Sequence, residues 1–124
     1  MKRILIIDND SAILEIMQEA LCYAGFDVKA IEETNNIFNL ISDYQPDIVL
    51  IDYILNGING GELCHQLKKE YCFLPVIIIS AHSKVFLSLG NYSCDDFLAK
   101  PFNLSDLISR VNSQLQLKNQ TSIN

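Results

Sequence analysis

The chain has 124 residues, 49% of them hydrophobic, with few Gly or Pro residues and a formal net charge of −6. This length and composition predict a single globular domain with a substantial core and argue against intrinsic disorder. The acidic balance argues against a direct nucleic-acid interface, and no apolar run reaches the ~18–20 residues that a membrane span requires.

Short apolar runs alternate along the chain with longer segments of helical spacing. In chain order, the predicted strands are Arg3–Ile7, Phe26–Ile31, Ile48–Ile51, Val76–Ile79 and Asp96–Ala99. Apolar residues three and four positions apart predict four helices, marked by Ile13, Met17, Ala20 and Leu21; Ile37, Leu40, Ile41 and Tyr44; Leu63, Leu67 and Tyr71; and Leu104, Leu107, Ile108, Val111 and Leu115. We interpret these stripes as core-facing.

Local signals mark the predicted helix ends. Candidate N-caps precede the first, third and fourth helices; they are Asp10 or Ser11, Asn59 and Asn103. Stop signals follow the first and second helices; they are Gly25 and Pro46. The segment from Ser83 to Ser93 is the weakest helical candidate, because it is short and contains Gly90 and Asn91. We predict one domain over residues 1–118 and a frayed polar tail over residues 119–124.

The alternation of strands and helices predicts an α/β fold, with right-handed βαβ crossovers and a parallel sheet covered on both faces. The four cysteines, Cys22, Cys64, Cys72 and Cys94, lack a metal-binding spacing, so we interpret them as reduced apolar side chains. A charge follows the first apolar run too early for a signal peptide, so we expect a cytoplasmic protein.

Polar residues follow the predicted strands where each one ends. Asp8, Asn9 and Asp10 follow the first strand, Asp52 the third, Ser80 the fourth and Lys100 the fifth. Because the carboxyl ends of parallel strands meet at one sheet edge, these side chains are expected to converge. Oxygen ligands from Asp8, Asn9 and Asp52 suit Mg²⁺, and a carboxylate can accept phosphate as an acyl phosphate. Each residue alone also has an explanation without function. Asp10 could only cap a helix, Ser80 could only bond to the backbone, and Lys100 could only be solvated.

Four ordered segments resemble the receiver domains of two-component response regulators. They are ILIIDND, PDIVLIDYILNGINGGEL, PVIIISAH and DDFLAKPF, and the resemblance covers nearly the whole chain. It implies a flavodoxin-like, five-stranded parallel sheet of order 2-1-3-4-5 with about five helices. It also implies a phosphorylation-dependent signalling switch rather than a turnover enzyme.

The resemblance assigns roles to residues. Asp52 would be phosphorylated by a histidine kinase or a histidine phosphotransfer protein. Mg²⁺ would be bound by Asp8, Asn9, Asp52 and the Ile54 carbonyl. Ser80 would bond a phosphoryl oxygen, Lys100 would pair with Asp52 or its phosphate, and Phe97 would be the aromatic switch toward a downstream protein target.

Some positions depart from that pattern. Asn9 stands where the family usually has an acid, which predicts weaker Mg²⁺ binding. Ile54 and His82 lie two residues after Asp52 and Ser80, at positions that tune the loss of phosphate, although His82 also fits a plain surface histidine. The stretch from Ser80 to Lys100 is about two residues shorter than the family pattern, which affects the expected output face.

Two alternatives remain open from the sequence. Asn9 is compatible with a receiver-like module that binds partners without phosphorylation. The Asp8-Asn9-Asp10 segment also resembles the DxD loop of haloacid-dehalogenase-type phosphatases, with Asp8 as nucleophile and Asp10 as acid, but this leaves Asp52 without a role.

Overall fold

The computed structural model describes residues 1–33, 36–52, 54–55, 58–81 and 94–123. Within these ranges, only the backbone is described for residues 54–55, 58–61 and 118–123. In chain order, its elements are β1 (Arg3–Ile7), α1 (Ser11–Tyr23), β2 (Asp27–Ile31), α2 (Ile37–Tyr44), β3 (Ile48–Asp52), β4 (Ile54–Leu55), β5 (Ile58–Asn59), α3 (Gly60–Glu70), β6 (Val76–Ser80), β7 (Asp96–Ala99) and α4 (Leu104–Ile123).

Five of the strands form one parallel sheet in the order β2-β1-β3-β6-β7. When only these five strands are counted, this is the order 2-1-3-4-5 that the resemblance implied, so the predicted α/β fold is confirmed. The two remaining strands, β4 and β5, pair with each other in an antiparallel ladder just after β3. That ladder was not predicted from the sequence.

The sheet separates two apolar clusters. Residues of one strand parity, including Leu5, Val49 and Ile78, pack with α2 and α3 on one face. Residues of the other parity, including Leu50 and Ile77, pack with α1 and α4 on the opposite face. The central strands are apolar throughout because a parallel sheet covered by helices has no solvated face. Each fully buried aliphatic side chain stabilises the fold by about 1.5–3 kcal/mol relative to leaving it exposed.

The ends of α1 follow the predicted signals. The Asp10 side chain accepts hydrogen bonds from the Ala12 and Ile13 N–H groups at 3.1 and 3.3 Å. At the other end, Gly25 adopts φ +99°, and its N–H donates to the Cys22 carbonyl while the Phe26 N–H donates to the Leu21 carbonyl. These are the two bonds of a Schellman motif, which favours glycine because its αL position carries no Cβ penalty.

The other helix ends are also capped by local bonds. Asn36 caps α2 by accepting from the Asn39 N–H, and Gln45 ends that helix in the left-handed region at φ 54°. Asn103 caps α4 by accepting from the Asp106 N–H at 2.7 Å. Asn103 was one of the predicted caps, whereas the cap at Asn36 was not predicted.

The carboxyl-terminal helix is longer than predicted. It continues to Ile123, through most of the segment expected to be a frayed tail. That segment contains no Pro or Gly to end a helix, so polarity alone was a poor signal for its end. The boundary at residue 118 stays a prediction. The weak helical candidate from Ser83 to Ser93 lies outside the described residues. None of the helices in the described part of the chain is both long and apolar enough to cross a bilayer.

Candidate functional site

The parallel register brings the predicted site residues to one edge of the sheet. Ile7, the last residue of β1, is level with Ile51 of β3, and Asp52 is level with Ile79 of β6. Asp8 and Asp52 therefore end adjacent strands on the same side of the molecule. On the other side of β3, Ser80 is paired with Ala99, directly before Lys100.

Lys100 joins the two carboxylates. Its Nζ lies 2.8 Å from Asp8 Oδ2 and 3.5 Å from Asp52 Oδ1. The side chains are well shielded, with exposed fractions of 13% for Lys100, 1% for Asp8 and 12% for Asp52. Two carboxylates and one ammonium leave a formal charge of −1 in a poorly solvated place, which favours a further cation.

Asp8 is held by hydrogen bonds to Ile31, Asp10 and Lys100. Its N–H donates to the Ile31 carbonyl of β2 at 3.1 Å, which extends the β1–β2 ladder by one residue. Its Oδ1 accepts from the Asp10 N–H at 2.9 Å, and its Oδ2 accepts from Lys100. Each side-chain oxygen therefore accepts from one donor, which fixes the direction of the carboxylate.

Ser80 and Phe97 lie on the same face of the sheet. Ser80 is 1% exposed, and its carbonyl accepts from the Lys100 N–H at 2.8 Å. By strand alternation Ser80 belongs to the face of Val76 and Ile78, and Phe97 packs against the cluster on that face. The structure thus places the hydroxyl and the aromatic residue on one side of adjacent strands.

The side chains of two other predicted site residues, Ile54 and His82, are not among those that the structure describes. Ile54 is described as backbone, paired with Asn59 in the β4–β5 ladder, directly after the strand that ends at Asp52. His82 lies outside the described residues. The tuning roles predicted for both side chains therefore remain predictions.

The donor set fits a hard divalent cation. Asp8 and Asp52 both approach one ammonium, so their oxygens already converge on a position that a positive charge occupies. Asn9 is exposed and lies with Lys100 along the same cleft. Carboxylate and amide oxygens, together with retained waters, are the ligands that Mg²⁺ prefers. Within the described residues, no group of three or more His, Cys, Asp or Glu side chains is arranged to hold a metal ion.

An apolar cleft beside the site was missed by the sequence analysis. It has a volume of about 520 Å³ and is lined by Asn9, Asp10, Ile13, Ile16, Met17, Ala81, Lys100, Pro101, Phe102 and Leu104. Ile16 is 51% exposed and Leu104 is 38% exposed, so the interpretation of Leu104 as core-facing was wrong. Helical spacing shows which face of a helix a residue lies on, but it does not show whether a neighbouring element covers that face at that residue.

The cysteine thiols lie away from this edge and fit the predicted passive role. All four cysteines are free. Burial raises the pKa of Cys64 to about 12, with nearby Cys94 and Asp95 adding to the effect. Burial likewise raises the pKa of Cys94. Both groups stay protonated at neutral pH, which makes them poor nucleophiles and poor metal ligands.

Comparisons with known proteins identify the family and the fold. The family model described as the response regulator receiver domain matches residues 4–112. A CheY-like response regulator receiver domain protein from Methanospirillum hungatei is 25% identical, with 98% of each chain covered and a TM-score of 0.86.

Two further solved structures widen the comparison. The response regulator TrrA from Thermotoga maritima, in complex with Mg²⁺-BeF, is 26% identical over 92% of this chain and 99% of its own, with a TM-score of 0.83. NtrX from Brucella abortus, in complex with ADP, is 26% identical over 98% of this chain but only 29% of its own, with a TM-score of 0.88. The same fold therefore occurs both alone and within a longer protein.

Proposed function

The chain belongs to the response regulator receiver family, and we propose that it is a phosphorylation-dependent switch of a two-component or phosphorelay system with Asp52 as phosphoryl acceptor. The observation that carries the proposal is the placement of Asp52 at the end of the central strand, 3.5 Å from Lys100 and next to buried Asp8. A carboxylate beside a fixed ammonium is suited to accept a phosphoryl group, because the new negative charge is compensated where it forms.

The environment of the two carboxylates favours Asp52 over Asp8 as the nucleophile. Both oxygens of Asp8 accept hydrogen bonds, and the residue is nearly inaccessible. Asp52 is more exposed and has the longer contact to Lys100. We assign Asp8 to charge and position, which argues against the haloacid-dehalogenase-type alternative in which Asp8 is the nucleophile.

The transfer follows from these positions. A carboxylate oxygen of Asp52 attacks phosphorus, an O–P bond forms, the N–P bond of a phosphohistidine breaks, and the imidazole leaves with that electron pair. Lys100 donates to the phosphoryl oxygens and Ser80 bonds one of them. The protein contributes alignment and charge compensation, which account for most catalysis of phosphoryl transfer.

Mg²⁺ is part of the proposal. Asp8, Asn9, Asp52 and the Ile54 carbonyl would hold it. When bound, it neutralises charge on the phosphoryl oxygens. The Mg²⁺-BeF complex of the Thermotoga relative supports this assignment by similarity.

The signalling steps extend the proposal beyond Asp52. The donor is a histidine kinase or a histidine phosphotransfer protein in the cytoplasm, and the output is a protein target rather than nucleic acid. Ser80 and Phe97 transmit the phosphorylated state. Ile54 and His82 set the rate of phosphate loss, so the protein is a switch rather than a turnover enzyme.

Acetyl phosphate with Mg²⁺, followed by intact mass spectrometry, tests the proposal. We expect one phosphoryl adduct in the native chain, none in Asp52→Asn, and a normal adduct in Asp47→Asn, which changes the aspartate directly before the start of β3. Peptide mapping would place the adduct on Asp52. An adduct on Asp8 would instead support the phosphatase alternative.

Asn9 gives one specific reason to keep a second candidate. A receiver-like module that binds its partner without phosphorylation needs less charge at the metal position, and this chain has an amide there. If neither acetyl phosphate nor a phosphohistidine donor produces an adduct while the protein is folded, this second function replaces the first.

A further inference from the structure

We propose that Asp10 is a positioning residue for Asp8, acting through the helix cap that it forms at the start of α1. This inference rests on the proposed function, because Asp8 matters there as a ligand for Mg²⁺. In the proposed ligand set Asp10 has no role, and its carboxylate is exposed.

The geometry links the two residues through the main chain. The Asp10 N–H donates to Asp8 Oδ1 at 2.9 Å. Asp10 itself is attached to the first turn of α1 by three bonds. Its Oδ1 accepts from Ala12 and Ile13, and its carbonyl accepts from the Leu14 N–H at 2.9 Å. The direction of the Asp10 N–H is therefore set by α1.

The contact from Asp10 differs from the other contact to the Asp8 carboxylate. Lys100 is shared between Asp8 and Asp52, so its position responds to whatever occupies the acceptor. Within the part of the chain that the structure describes, the Asp10 N–H donates to Asp8 alone, and it belongs to a capped helix. We infer that Asp10 keeps Asp8 in place in every state of the switch.

The cap, rather than the charge of Asp10, is the feature that this inference requires. Asn and Ser accept the same bonds from the first turn of a helix, whereas Ala does not. The substitutions Asp10→Ala, Asp10→Asn and Asp10→Ser all remove the same negative charge. A difference among them therefore reports the cap alone.

Isothermal titration with Mg²⁺ on the full chain tests the inference. Partners that orient a metal ligand typically contribute 10–100-fold in metal affinity, so we expect Asp10→Ala to bind about tenfold more weakly than Asp10→Asn or Asp10→Ser. Asn36→Ala is the matched control, because it removes the equivalent cap of α2. Both alanine variants should lose a few degrees in Tm, but only Asp10→Ala should lose Mg²⁺ affinity.

A second measurement does not require the metal. In the metal-free chain, the residue 10 amide should be less protected from hydrogen exchange, relative to its intrinsic exchange rate, in Asp10→Ala than in Asp10→Asn, because the N–H no longer has a fixed direction toward Asp8. Equal Mg²⁺ affinity and equal exchange in these two variants overturn the inference, as does an equal loss of affinity in Asn36→Ala. If the native chain binds no Mg²⁺, the metal assignment of the proposed function fails, and the exchange comparison alone decides whether Asp10 positions Asp8.

Discussion

Restoring an acid at position 9 is the perturbation that most directly tests the charge balance of the site. Asp8, Asp52 and Lys100 give a formal charge of −1, and Asn9→Asp would make it −2. The amide oxygen of Asn9 can already ligate Mg²⁺, so the substitution changes charge with little change in shape. We expect Asn9→Asp to bind Mg²⁺ more tightly.

The magnitude follows from the exposure of residue 9. Because Asn9 is exposed, the dielectric of water applies, and two unit charges ~4 Å apart interact by about 1 kcal/mol. A divalent ion doubles this to about 2 kcal/mol, which corresponds to about 30-fold in Kd. Without the metal, the added carboxylate repels Asp8 and Asp52. Asn9→Asp should therefore have a lower Tm than the native chain in chelator and gain more on addition of Mg²⁺.

Isothermal titration at low ionic strength and at about 0.15 M salt provides the assay, since the advantage of an exposed charge must shrink as salt screens it. Asn112→Asp is the matched control, because it adds the same charge at an exposed position on α4. An unchanged Kd in Asn9→Asp would refute the assignment of Asn9 to the metal. An equal gain in both variants would show that net charge, rather than position, controls affinity.

The remaining predictions concern phosphate lifetime, thiol chemistry and stability. Ile54→Asn should lose the phosphoryl adduct several-fold faster than Ile54→Leu, because a polar side chain can position the attacking water; equal decay by intact mass would contradict this. Cys64, with its pKa raised to about 12, should resist iodoacetamide at pH 8 while exposed Cys22 reacts, as peptide mapping would show. Leu50→Ala should lower the free energy of unfolding by about 2–5 kcal/mol in urea titrations, because Leu50 is fully buried. Gly25→Ala should cost about 1 kcal/mol, since residue 25 is left-handed at φ +99°.

Much of the fold was predictable because the strands of a parallel sheet covered on both faces are short, continuous apolar runs. The strands Arg3–Ile7 and Asp96–Ala99 were predicted with the bounds that the structure has, and Asn103 and Gly25 marked the expected helix ends. The β4–β5 ladder was missed although its sequence contains a signal. In a sequence, Asn-Gly between apolar residues is a typical signal for a β-hairpin, but this segment was interpreted only as a loop.

The convergence of the strand-end residues was predictable from the sequence, but the contacts among them were not. Strand ends place Asp8, Asp52, Ser80 and Lys100 at one edge for any parallel sheet of this order. The sequence could not rank the partners of Lys100, because that depends on the direction of a flexible side chain. Its contact with Asp8 is 2.8 Å, shorter than the 3.5 Å contact with Asp52 that the resemblance emphasised.

The contacts around β7 constrain how the state of Asp52 can reach the rest of the molecule. The main chain at β7 is held on both sides: the N–H of Lys100, directly after the strand, donates to the Ser80 carbonyl, and the Arg110 guanidinium donates to the Phe97 carbonyl. The guanidinium also donates to the Asp96 side chain. Moving the strand would break all of these bonds together, whereas turning the Lys100 ammonium from Asp8 toward a phosphate breaks one ion pair and forms another. We therefore expect the signal to travel through side-chain rearrangement at Lys100, Ser80 and Phe97, with the backbone of β7 as the fixed frame.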